Sequence, residues 1–150
     1  MRKHVPHVEL GNSDEFRHPD IPVGGCWERL FAISTISRSS YVVQLDSDTL
    51  TLNALPEVSS AIVESRGFVL GEESGQQLTC LRDTANKARP WVQSEKVHIQ
   101  ALSEVVMETA GLTNQAYVRG CAGFTGFPAS STYRELILEF SRKMRAKIGA

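Results

Sequence analysis

Asp46 and Asp48 are separated only by Ser47 and follow directly on an apolar run, Tyr41-Val42-Val43-Gln44-Leu45. Ionised carboxylates only accept hydrogen bonds, and two that converge repel one another unless a cation lies between them. Hard divalent cations such as Mn²⁺ or Mg²⁺ suit oxygen ligands of this kind and keep open positions for phosphate oxygens. The chemistry this spacing supports is therefore a metal-held phosphate. The plainer reading of any Asp-x-Asp is a solvated loop with a helix cap, and the run ahead of this one sets it apart. That run has the length and β-branched composition of a buried strand, and Ser39-Ser40 before it reads as a turn. Carboxylates within a buried strand would carry a large desolvation cost, so both are expected at its carboxyl end, where open α/β sheets place their ligands. Alternation along an extended chain would point Asp46 and Asp48 to one side and Ser47 to the other.

Few other residues offer chemistry. His4 and His7 would ligate a metal only if a turn brought them together, and exposed histidines on a frayed terminus are the plainer reading. Cys26, Cys80 and Cys121 are odd in number and lack the C-x-x-C spacing. They argue against a disulfide framework and a structural zinc site, and fit a reducing cytoplasm. With 150 residues the chain has room for one domain with a real core. A formal net charge of −1 gives no electrostatic case for nucleic acid or an anionic membrane. No apolar run approaches a membrane span, and no signal-peptide core follows the first residues.

The elements that must position the aspartates follow from periodicity and punctuation. Residues 1–25 form an irregular N-terminal segment, broken by Pro6, Gly11, Pro19, Pro22, Gly24 and Gly25, with Val5 and Val8 available to a short strand. From Cys26 to Arg38 the pattern is helical, with Trp27, Leu30, Phe31 and Ser34 on one face and Glu28, Arg29 and Arg38 elsewhere. After the aspartates, Pro56 and Glu57 open a helix that buries Val58, Ala61 and Ile62 and ends at Gly67. Phe68-Val69-Leu70 is a second candidate buried strand, closed by Gly71-Glu72-Glu73.

Residues 71–90 read as a polar connection with a short strand at Gln77 to Leu81. Arg82, Lys87 and Arg89 make it basic, as a solvated loop or, in the sharper reading, a phosphate-contacting flap. Pro90 and Trp91 then precede a helix from Ser94 to Ala110 with an inner face of Leu102, Val105, Val106 and Thr109, closed by Gly111. Ala116-Tyr117-Val118 is a third short strand. The following 119–128 is too glycine-rich for a regular element, its glycines permitting close approach of a ligand or another strand. The last helix begins at a Thr132/Glu135 capping box and carries the stripe Tyr133, Leu136, Ile137, Phe140, Met144 and Ile148. Arg142, Lys143, Arg145 and Lys147 crowd its end, as cations do near a helix C-terminus. The order predicts an α/β fold, a layered sheet with flanking helices.

The run Trp27-Glu28-Arg29-Leu30-Phe31-Ala32-Ile33, then Tyr41 to Leu50 with its Asp-Ser-Asp, then Leu55-Pro56-Glu57-Val58, resembles the core of a GT-A glycosyltransferase of the glycogenin and galactosyltransferase-like branch. Val118-Arg119-Gly120-Cys121-Ala122-Gly123-Phe124 resembles the strand that lines the sugar and acceptor site in such enzymes. The resemblance covers residues 25–70 and, more loosely, 115–128. It implies that Asp46 and Asp48 hold Mn²⁺ or Mg²⁺ against the diphosphate of a nucleotide-diphosphate sugar donor. It also implies that Ser47 touches the ribose, that Arg29 meets the phosphates, and that Gly123 and Phe124 line the donor site. It names neither the acceptor nor a catalytic residue. A bridging cation and an arginine would stabilise the charge that develops on a departing diphosphate.

The sequence departs from that family in three respects. No strand–helix–strand unit for the nucleotide base precedes Asp46, Cys121 stands where an asparagine is usual, and no histidine follows the glycine segment. The expectation is accordingly an incomplete domain of this type. Two further readings stay open: a folded, non-catalytic remnant, and a haloacid-dehalogenase-like phosphohydrolase with Asp46 as nucleophile and Asp48 as acid/base.

Overall fold

The computed structural model describes residues 7–71, 76–93, 97–112 and 115–148; His4 and Val5 lie outside them, as do Glu72 and Glu73. The chain is mixed α/β, with five α-helices and two small antiparallel sheets among the described residues. Three strands, β1 (Val42–Leu45), β2 (Phe68–Gly71) and β5 (Gly120–Phe127), form the larger sheet in the order β1-β5-β2. Both outer strands run antiparallel to β5, so they are parallel to each other, and helix α2 (Pro56–Val63) makes the crossover between them. The layered sheet is thus antiparallel at every pairing. The expected buried strands, Tyr41–Leu45 and Phe68–Leu70, are edge strands, half-buried at most residues.

The stretch expected to be irregular, 119–128, is the central strand. Its glycines work by absence. A Cβ at Gly120 would lie inside the Val69 side chain, and one at Gly126 inside the Phe68 ring. Removing those Cβ atoms lets the β2 side chains lie flat across β5. The register slips between Val69, opposite Thr125, and Leu70, opposite Cys121, and the Thr125 hydroxyl donates to the Cys121 carbonyl at 3.2 Å across the irregularity.

Helix α1 (Trp27–Ile36) forms as expected and buries Phe31 and Ser34, but also Ile33 and Glu28. Periodicity places Glu28 away from the core face. It turns back to accept from the Gly24 N–H at 2.8 Å, a bond that lowers its pKa, with its own backbone N–H adding to the effect. Helix α2 buries Ala61 while Ile62 stays exposed, and it ends four residues before Gly67. Ser65 takes the left-handed conformation at φ 51°, with Ser65 N–H bonded to Ile62 C=O and Arg66 N–H to Ala61 C=O. That is a Schellman ending with serine in the place glycine usually holds.

The polar connection expected over 71–90 is largely a helix, α3 (Leu81–Val92), and the strand before it shrinks to β3 (Thr79–Cys80). Leu81, Thr84, Ala85 and Ala88 are buried at i, i+3, i+4 and i+7 spacing. Pro90 lies in its last turn, where it removes a single helical bond. The next helix, α4 (Ile99–Thr109), is capped by the His98 ring, which accepts from the Gln100 N–H at 3.2 Å; Ser94, its expected start, lies outside the described residues. Its inner face is Ala101, Glu104 and Met107 with Ala110 beyond, one position round from the expected face. Leu102, Val105 and Val106 are half-buried and Thr109 is exposed. β4 (Ala116–Tyr117) pairs with β3.

The closing helix α5 (Tyr133–Ile148) carries its stripe inward except at Leu136, which is half exposed; Ser141 is buried. Thr132 bonds Ser130 rather than Glu135. Leu81, Met107, Ala110 and Met144 form the core cluster, with Phe140 and Ile148 packed on it. Arg142, Lys143 and Arg145 near the end of α5 serve the chain's own carbonyls and carboxylates. Lys143 donates to Gly111 O at 3.1 Å and pairs with Glu139, and Arg145 reaches Pro19 O at 3.4 Å. Among its described residues the N-terminal segment holds one 3₁₀ turn, Ser13–Phe16, and no strand at Val8. It is nonetheless docked, since Ile21 is buried and the Ser141 hydroxyl donates to Asp20 O at 2.7 Å. No helix among the described residues is long and apolar enough to cross a membrane.

The left-handed serine gives a direct test. Substituting Ser65→Gly relieves a backbone cost of about 1–2 kcal/mol, less what glycine's greater freedom costs in the unfolded chain. A net gain of about 0.5–1 kcal/mol, or about 1–4 °C in thermal midpoint, is expected. An unchanged or lowered midpoint would show that Ser65 carries no strain.

Candidate functional site

The two aspartates lie where β1 leaves the sheet. Asp46 extends the ladder by one step, its N–H donating to Gly123 C=O at 3.0 Å. Its own carbonyl then accepts from the Thr49 N–H at 3.1 Å, closing a turn over Asp46-Ser47-Asp48-Thr49. The chain reverses within the motif, so the alternation of an extended strand does not govern where Asp48 points. The hydrogen-bonded strand ends at Asp46, and Ser47 and Asp48 are exposed on the turn.

Arg29 comes to this corner from the first turn of α1. Its Nη1 meets Asp46 Oδ1 at 2.5 Å and its Nη2 lies 3.1 Å from Cys26 Sγ. Burial acts to lower the arginine's pKa, but Cys26 and Asp46 more than offset it and the pKa is raised. Both side chains of the pair remain accessible, Arg29 at 38% and Asp46 at 42%. The other carboxylate oxygen lies over Gly123. A Cβ there would stand 2.6 Å from Asp46 Oδ2, so only glycine at this position lets the carboxylate settle against the strand. The Gly123 N–H donates to Cys121 Sγ at 3.4 Å, and the Gln44 amide donates to Ala122 C=O.

Of the residues singled out by sequence, Arg29, Asp46 and Gly123 are therefore brought together, with Ser47 and Asp48 beside them on the turn. Phe124 is not. Its neighbour Gly123 faces Asp46, so Phe124 points to the opposite side of the sheet, where it meets Phe68 edge-on at 5.3 Å. The basic segment of the expected flap is also elsewhere in role: it is helical, and Arg89 pairs with Glu108 at 2.5 Å.

The donor set can be weighed against a divalent cation. Among the described residues no group of three or more His, Cys, Asp or Glu side chains converges, so an all-protein cage is not formed. Mg²⁺ and Mn²⁺ at phosphate sites need only one or two carboxylates, the remaining positions going to water and phosphate oxygens. Asp46 is accessible but paired to Arg29, and Asp48 is exposed two residues on, so the corner offers at most that sparse donor set.

A second charged cluster escaped the sequence reading. Glu104 is only 2% exposed, yet it carries a bidentate pair with Arg119, at 2.9 and 2.5 Å, and accepts from the Tyr117 hydroxyl at 3.0 Å. Nothing in the spacing signals it, since a glutamate in a helix is normally solvated. The arrangement is closed to solvent at the carboxylate and ties α4 to the chain between β4 and β5. Two clefts of about 390 and 230 Å³ lie along α5, sharing Leu136 and Phe140, and neither is lined by Asp46 or Asp48.

The cluster has a pH signature. Burial, and secondly the Glu104 charge, push the Tyr117 phenol up to about 12. The fold favours the neutral phenol, so this stabilisation is complete below the unfolded value of about 10 and is lost as pH rises toward 12. Discounted for partial exposure, about 1–2 kcal/mol should disappear across that window. Unfolding measured from pH 9 to 12 should show this loss in the wild type and a flatter profile in Tyr117→Phe; parallel profiles would remove the assignment. Set beside known protein families, curated proteins and solved structures, the chain matches none.

Proposed function

We propose that the corner built by Arg29, Asp46, Ser47, Asp48 and Gly123 binds the diphosphate of a nucleotide sugar through Mn²⁺ or Mg²⁺, and that its activity is metal-dependent glycosyl transfer. The observation that carries the reading is the convergence of Arg29 and Asp46 at 2.5 Å over the bare backbone of Gly123, three residues drawn from separate elements. An accessible guanidinium beside accessible carboxylates supplies both halves of a metal–diphosphate site. The carboxylates take the cation, and the arginine takes phosphate oxygens through its planar fork. Ser47, on the same turn, is within the stretch that would face the ribose. The bound cation would stabilise negative charge on the diphosphate as the sugar leaves.

A second reading is carried by a different observation. The Arg29–Asp46 pair is complete without any ligand, and the larger sheet has three strands, none of them from the described residues ahead of α1. In that reading the corner is a structural clasp between α1 and β1, and the chain is non-catalytic.

Thermal unfolding with Mn²⁺ alone, UDP alone and both together separates the two. A ligand that binds only the folded state stabilises it by RT ln(1 + [L]/Kd), about 2.7 kcal/mol at a hundredfold excess over Kd, and so raises the midpoint. The transferase reading expects a shift of several degrees that needs both ligands and vanishes in Asp46→Asn/Asp48→Asn. A cooperative melt that no combination moves would leave the clasp.

A further inference from the structure

We draw no further inference here: the strongest candidate, the apolar groove of two clefts that share Leu136 and Phe140 along α5, carries nothing because its lining Lys143 is already held by Glu139 and the Gly111 carbonyl and nothing in the structure shows what covers it.

Discussion

The fold depends on how closely three chains can approach along β5. Its glycines stand at 120, 123 and 126, and a Cβ on each would collide with a neighbour: Val69, Asp46 and Phe68 in turn. A strand that lacks side chains at these points is weak by propensity, because glycine gains nothing from packing and loses most entropy on ordering. It is held instead by being central, with a ladder on each side, and by the side chains that its neighbours lay across it. The same bareness that lets Phe68 cover one face lets the Asp46 carboxylate settle on the other. Sheet and candidate site therefore share one cause.

Two of the arginine–carboxylate pairs differ sharply in burial while sharing similar chemistry. Glu104 is buried and saturated by Arg119 and Tyr117. Removing one partner from such a pair leaves an uncompensated charge and typically costs about 3–5 kcal/mol, so it is a structural tie that no ligand reaches. Asp46 and Arg29 are both accessible, and an exposed pair stabilises by about 0–1 kcal/mol. An interaction that weak can be exchanged at small cost. Exposure, rather than the identity of the groups, sets how firmly each pair holds its elements together.

That difference also marks what could be read from the residues alone. The helix from Trp27, the strand ending at Asp46 and the long closing helix all carry strong periodic or compositional signals, and they stand in the structure. Helix α3 was missed because its buried face is Thr84, Ala85 and Ala88, residues too small or polar to register as a stripe, and because Pro90 reads as a break when it is merely late in the helix. The inner face of α4 was misplaced by one position since Glu104 counts as polar until Arg119 is found beside it. Glycine is the residue least expected in a strand, so 119–128 reads as irregular where the structure has β5. In each case tertiary partners, absent from any local window, reversed a local preference. Arg29, Asp46 and Gly123 were legible as candidates, but their contact was not, because it depends on the antiparallel register that sets Asp46 opposite Gly123.

The turn at 46–49 gives the two aspartates unequal freedom. Asp46 is fixed at its backbone N–H by the ladder and at its carbonyl by the turn, with its side chain seated on Gly123 and paired to Arg29. Asp48 is positioned by the turn and stands in solvent. One carboxylate is thus held in place and one left free, and that difference follows from where the ladder ends and the turn begins.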